Sequence, residues 1–242
     1  MRVADYKSHY RADAELIEDP AQLPSVRRNS ERRRLQRIVR ILRLRPEDRV
    51  LDIGCGSGWL ASLCAARGCK VTATDVSHAG VLAAGRRYDG EIGSFAVGDA
   101  YQMGLRSGSF DVVLLSEVVE HLEDIQAVLT EAKRLLKPAG RLLVSVPNHE
   151  TIVEHLCIHC NQLTPANAHL HRFEHESMRA LLEDAGFTTR QLSVLTNKLL
   201  ELVAFPHWSR SWPYWSWFVC DWLCNRIIRK PAFLIALATR NS

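Results

Sequence analysis

The sequence predicts a doubly wound α/β fold built on a seven-stranded, mostly parallel sheet. Three observations carry this. Short runs such as Arg49–Ile53, Phe110–Leu115 and Arg141–Val146 are largely apolar, as strands covered on both faces are. They alternate with segments whose apolar residues recur at helical spacing, the pattern of repeated strand–helix–strand units. A glycine-rich turn, Gly54-Cys55-Gly56-Ser57-Gly58, stands where the first strand should turn into a helix. Right-handed crossovers then wind the sheet outward in both directions from its first strand.

Residues 1–29 read as irregular, because Pro20 and Pro24 oppose one continuous helix. A helix is expected from Ser30, with Leu35, Ile38, Val39 and Leu42 on one face. Arg49–Ile53 follows as a strand and Trp59–Arg67 as a helix. Lys70–Thr74 and Ile92–Val97 are the next strands, with Ala79–Tyr88 the helix between them. Phe110–Leu115 is the fourth strand, and Ile125–Leu136 an amphipathic helix stopped by Pro138 and Gly140. Arg141–Val146 is the fifth strand. Glu174–Ala185 reads as a helix, and Phe187–Leu195 and Phe233–Thr239 as the last two strands.

With 47% apolar and 24% charged residues over 242 positions, the chain can bury a real core. A single domain is expected over 1–242, with a helical cap at 1–45, a Cys/His-rich insert at 148–172 and an aromatic insert at 197–230. No apolar leader and no run long enough to cross a bilayer stand in the sequence, so a cytoplasmic protein is expected, in contact with a membrane at most at its edge. Seven cysteines are then expected as free thiols or metal ligands. Net charge is only +4, yet Arg27 to Arg45 holds nine arginines and one acid, Glu31. That run reads as a solvated helix face, or as a track for phosphates.

The glycine turn belongs to the stretch Val50-Leu51-Asp52-Ile53-Gly54-Cys55-Gly56-Ser57-Gly58. Glycines there permit positive φ and close approach of a ligand to backbone. A pyrophosphate-binding loop spaces its glycines G-x-G-x-x-G; here the spacing is G-x-G-x-G and Trp59 occupies the place of the last. The loop therefore suits a nucleoside without a pyrophosphate. Asp75 ends the second strand, where a carboxylate can accept both hydroxyls of a ribose. Asp99 follows the third strand and suits an exocyclic amine. Alone, each acid reads equally as a cap or turn. Together, three successive strand ends of this kind share one crevice.

These residues resemble the class I S-adenosylmethionine-dependent methyltransferases, and within them the group of ubiquinone-biosynthesis O-methyltransferases (methyltransferase type 11). The likeness rests on Asp52 to Gly58, Asp75, Gly98 to Ala100, Ser116-Glu117-Val118-Val119-Glu120-His121-Leu122, Lys137 to Gly140 and Gly186-Phe187. It implies a Rossmann-like sheet whose last strand is antiparallel, and S-adenosyl-L-methionine as methyl donor. The implied donor site is Asp52, Gly54, Cys55, Gly56, Gly58, Asp75, Val76, Asp99, Ala100, Ser116 and Glu117. Within it, Asp75 would hold the ribose and Asp99 the adenine amine. Ser116, Glu117 and the glycine loop would surround the methionine part. A base is needed only for an acceptor that arrives protonated, and His121 is the candidate, since histidine titrates near neutral pH. It also reads as a residue that merely positions the next helix.

Two stretches lie outside this pattern. Cys157, Cys160, His169 and His171 offer four ligands suited to tetrahedral zinc, or two free thiols beside a His-rich pocket. Phe205 to Cys224 carries Trp208, Trp212, Trp215, Trp217 and Trp222. There Asp221, Asn225 and Arg229 form a polar stripe opposite Val219, Trp222 and Leu223. The apolar side can cover the sheet, line a lipophilic acceptor pocket, meet a membrane edge or form a homodimer contact. The expected function is methyl transfer to the oxygen of a small or lipophilic acceptor. A tRNA or RNA methyltransferase is the second reading, with no separate RNA-binding module to support nucleic acid as partner. A donor-binding protein without catalysis is the third.

Overall fold

The computed structural model describes residues 19–156 and 163–241. A seven-stranded sheet runs in the order β3-β2-β1-β4-β5-β9-β8. Its strands are β1 (Arg49–Ile53), β2 (Lys70–Asp75), β3 (Ser94–Val97), β4 (Phe110–Ser116), β5 (Leu136–Pro147), β8 (Phe187–Asn197) and β9 (Pro231–Arg240). The β1, β2, β3, β4 and β5 neighbours pair in parallel. β9 pairs antiparallel with both β5 and β8. The doubly wound sheet with an antiparallel last strand is thus present as expected.

Alternation along the strands supplies two cores. Leu51, Ile53, Val113, Leu115, Leu142 and Val144 face one layer, which includes α4 (Ile125–Leu135) and α5 (His175–Asp184). Val50, Val112, Leu114 and Leu143 face the other, closed by α1 (Ser25–Leu42) and α2 (Trp59–Ala65). α3 (His78–Arg87) connects β2 to β3. Chain order reverses at β1: β2 and β3 lie to one side of it and β4 to the other. The carboxyl ends of these strands therefore open onto one crevice.

The expected ends shift by a few residues. α1 begins at Ser25 rather than Ser30, because Pro24 sits before the first helical residue, where its missing N–H costs nothing. α4 gives way directly to β5 at Leu136, five residues before the expected start of that strand. Between β5 and α5, β6 (Glu154–Leu156) and β7 (Leu163–Pro165) form a small antiparallel pair.

The arginine run departs from the expected solvated face. Arg33 and Arg34 are each 3% exposed. Arg33 donates to the carbonyls of Ser209 and Trp212 at 2.9 and 2.8 Å. The guanidiniums of Arg33, Arg37 and Arg40 stand over the rings of Trp217, Phe218 and Tyr214 at 5.5, 4.6 and 3.8 Å. Their partners belong to the insert between β8 and β9, which forms α6 (Lys198–Leu202), α7 (Phe205–Trp208) and α8 (Tyr214–Ile228).

α8 turns Asp221 and Asn225 of its polar stripe inward, while Arg229, just past the last helical residue, is exposed. Thr196, at φ 61, breaks the end of β8. The backbone N–H groups of Thr196 and Asn197 both donate to the Asp221 carboxylate, at 3.0 and 2.7 Å. Asp221 is buried with Tyr214 and Trp217, while Trp215, Val219, Trp222 and Leu223 are exposed. Burial pushes the Asp221 carboxyl up to about 6 against these donors. Removing the acceptor leaves two buried donors unsatisfied. Asp221→Ala is expected to lower the melting temperature by roughly 3–10 °C, read by calorimetry, from a loss of about 1–3 kcal/mol.

Candidate active site

The crevice holds a cavity of about 420 Å³ lined by the ends of β1, β2, β3 and β4 and by α1. Its wall includes Asp52, Gly54, Cys55, Gly56, Asp75, Val76, Asp99, Ala100, Ser116, Glu117 and His121. The residues singled out at three separate strand ends thus meet at one surface. Gly58 stands behind that wall. It precedes α2 at φ 80, and a Cβ there would meet the Tyr88 ring at 3.1 Å.

The glycine loop is shaped by its neighbours. Gly54 sits at φ 71, and a Cβ on it would lie 2.5 Å from Val118 Cγ2, so a side chain would both strain the backbone and displace a wall residue. Asp75 fixes the loop from the next strand: its Oδ2 accepts from Gly56 N at 3.0 Å, and its Oδ1 from Ser77 N at 3.0 Å. Asp99 Oδ1 accepts from Tyr101 N at 3.1 Å. Tyr101 Oη in turn accepts from Glu123 N at 3.0 Å, which holds the turn before α4 against the cavity.

One wall was not legible as part of a site. Arg27, Glu31, Arg34 and Leu35 of α1 all line the cavity. Arg34 Nη1 donates to Ser116 Oγ at 3.0 Å, to Glu117 Oε1 at 3.1 Å and to Ser145 Oγ at 2.8 Å. Its Nε donates to Glu31 Oε2 at 2.9 Å. Burial pulls this guanidinium down, but Glu31 and Glu117 outweigh it and the net shift is upward. The only hint in the sequence was the lone acid, Glu31, set one helical turn before Arg34.

The cavity is crowded with carboxyls. Burial, then the nearby charge of Asp75, pushes Asp52 up to about 7, while Arg34 pulls it down. Asp52 is 1% exposed, and its Oδ2 lacks a hydrogen-bond partner among the described residues. Burial likewise pushes Glu117 up to about 7 against Arg34, and raises Glu120 well above the usual carboxylate range. Both Glu120 oxygens are buried without a partner among the described residues. Burial pushes the Cys55 thiol up as well, so it is not a nucleophile at neutral pH. Orphaned acceptors and raised carboxyls fit a ligand that brings positive charge and hydrogen-bond donors. The two glycine positions leave its backbone approach open.

His121 follows β4 in a short 3₁₀ turn, Val119–His121. Its Nδ1 lies 3.3 Å from the Ala168 carbonyl. A carbonyl only accepts, so Nδ1 is the donor in that contact. The His169 ring stands edge-on to His121 at 4.7 Å, and His169 Nδ1 meets Glu150. His171 Nε2 donates to the Leu122 carbonyl at 2.6 Å. Of the four expected zinc ligands, Cys157 and Cys160 lie outside the described residues. His169 is brought to His121, whereas His171 has a backbone partner. Among the described residues, Glu120, His121 and His169 each place one donor atom within 4.8 Å of the others, close enough to share an ion.

Residues 26–192 match the methyltransferase domain family. Relatives include the ubiquinone biosynthesis O-methyltransferase of Xanthomonas oryzae pv. oryzae (strain PXO99A), 39% identical over 105 residues. That match covers 41% of this chain and 43% of the relative, so the chain spans less than half the length of such relatives. The enzyme of the same name from Pseudomonas paraeruginosa is 32% identical over 157 residues, covering 61% of this chain and 67% of its own. Among solved structures, the Burkholderia thailandensis 1,6-didemethyltoxoflavin-N1-methyltransferase, with bound 1,6-didemethyltoxoflavin and S-adenosylhomocysteine, superposes with a TM-score of 0.65. It is 18% identical and the match covers 100% of this chain and 93% of that one, a likeness of fold.

Asp52 gives the pH dependence of stability a sign. The fold holds its proton to about pH 7, whereas the unfolded chain releases it near 3.8. Between those values the fold binds more protons, so this group's contribution falls as pH rises. Asp52→Asn removes that cost. The variant is expected to melt roughly 2–6 °C above wild type at alkaline pH, with the margin shrinking as pH drops toward 5, followed by thermal unfolding across a pH series.

Proposed function

The chain belongs to the methyltransferase domain family, and on that premise we propose that it transfers a methyl group from S-adenosylmethionine to an oxygen of a small or lipophilic acceptor. The observation that carries this reading is the single cavity into which the glycine loop, Asp75, Asp99 and Glu117 all open. The donor, when bound, supplies a methyl group already activated on a cationic sulfonium. What remains for the protein is alignment and exclusion of water.

Each wall residue has a part in that. Asp75 would accept the ribose hydroxyls, its carboxylate held in place by Gly56 N and Ser77 N. Asp99 and Ala100 would take the adenine edge, beside Val76. Asp52, Cys55, Ser116 and Glu117 would flank the amino-acid part, with Gly54 and Gly56 as its backbone floor. Gly58 keeps that loop packed on Tyr88. Arg34 is a positioning residue, since it holds Ser116 and Glu117 by direct hydrogen bonds. His121, which lines the cavity, would take the proton of an acceptor hydroxyl.

The relatives' name points to methylation of an oxygen in ubiquinone biosynthesis, and comes to this chain only as part of the proposal. A nucleic-acid acceptor is disfavoured by the engagement of Arg33, Arg34, Arg37 and Arg40 within the fold. These guanidiniums are not available as a phosphate track.

Methyl transfer from labelled donor, screened over phenols, quinone precursors, carboxylic acids, lipids and tRNA, tests the assignment. Label in phenols or quinone precursors supports it; label confined to tRNA, or to none of these, overturns it. Asp75→Ala is expected to weaken donor binding by about 2–4 kcal/mol in calorimetry, through lost ribose contacts and a loosened loop. Unchanged affinity would remove Asp75 from the site. His121→Ala is expected to lower kcat roughly 10²–10⁴-fold on a hydroxyl acceptor, with donor affinity kept. An unchanged kcat would leave His121 a purely structural residue.

A further inference from the structure

The insert between β8 and β9 leaves an apolar face uncovered. Trp215, Val219, Trp222, Leu223 and Ile227 recur at three- and four-residue spacing on the outer side of α8. All are exposed, Ile227 at 79% and Trp215 at 61%. On the preceding helices Leu202 is 81% exposed and Trp208 72%. Burying such a face against the sheet was open to this sequence. The fold instead spends the polar side of α8 on Thr196 and Asn197 and turns the tryptophans out. Exposed apolar area of this kind marks a binding surface.

Charge says what it binds. Lys198, Arg210, Arg226, Arg229 and Lys230 are all exposed. The insert's two acids face inward: Glu201 accepts from Ser30 Oγ, and Asp221 is buried. The Arg226 guanidinium lies 5.6 Å above the Trp222 ring, so cation and aromatic share one patch. A second copy meeting this face across a two-fold axis would set cations against cations. A negatively charged plane that also accepts tryptophan meets both requirements. No described helix is long and apolar enough to cross a membrane, so the contact lies at the surface.

We propose that the outer face of α6–α8 docks onto an anionic phospholipid bilayer. Trp208, Trp215 and Trp222 enter the headgroup region, and Arg226, Arg229 and Lys230 meet lipid phosphates. This rests on the exposed face and its charge, and not on the assigned reaction.

Co-sedimentation of the full chain with vesicles tests it, using phosphatidylcholine alone and phosphatidylcholine mixed with phosphatidylglycerol. Binding is expected to the anionic vesicles, to weaken with added salt, and to be accompanied by a blue shift of tryptophan emission. The triple variant R226Q/R229Q/K230Q is expected to bind roughly 100-fold more weakly, the effect of three cations lost at an anionic surface. W215S/W222S is expected to stay in the supernatant with an unchanged melting temperature, because neither ring is buried. Equal binding to both vesicle types overturns the assignment. So does a wild type that stays in the supernatant, whether monomeric or forming a dimer in sedimentation velocity that W215S/W222S dissolves.

Discussion

A guanidinium with nowhere to go but inward organises this molecule. Arg34 leaves α1 and reaches Ser116 at the end of β4 and Ser145 near the end of β5, neighbouring strands in the sheet. A buried cation is tolerated only when paired and hydrogen-bonded, and Glu31 and Glu117 provide the pairing. These contacts tie α1 to the ends of β4 and β5. That seat closes the side of the crevice that the strand ends leave open, and it brings Glu31 and Leu35 into the cavity wall. Removing one partner of such a node leaves uncompensated charge, so the cap helix and the pocket stand or fall together.

Burial sets the electrostatics of the pocket, and the node offsets it only in part. Asp52, Glu117 and Glu120 sit where water is scarce, and a single guanidinium cannot neutralise all of them. The carboxyls answer by holding protons toward neutral pH. A cationic ligand relieves this crowding in a way that a neutral or anionic one cannot. Trp59 lines the cavity at the position where a pyrophosphate loop needs glycine.

The parts legible in the sequence were those set by local chemistry. Strands covered on both faces read as apolar runs, and positions 54, 56 and 75 follow from what a strand end and a turn require. The parts that were not legible depend on partners far along the chain. Arg33 and Arg34 look like any solvated arginine until Ser209, Trp212 and Ser145 arrive from residues more than a hundred positions away. Periodicity divides α8 into a polar and an apolar side but does not say which faces in. That was decided by a break in another strand: Thr196, at positive φ, takes two N–H groups out of the ladder, and Asp221 is the acceptor in reach. Those two charge-assisted hydrogen bonds set which side of α8 faces in.

α1 joins the two working surfaces of the molecule. From one side it contributes Arg27, Glu31, Arg34 and Leu35 to the cavity. From another, Arg33, Arg37 and Arg40 grip Trp217, Phe218 and Tyr214 of the insert, and Ser25 and Ser30 meet His207 and Glu201. Cation–aromatic contacts of this kind are each modest, about 0.5–2 kcal/mol, but three in register along one helix make its seat cooperative. Whatever loads the insert from outside therefore bears on the helix that closes the pocket. The exposed face of the insert and the wall of the cavity are in this way joined through one row of arginines.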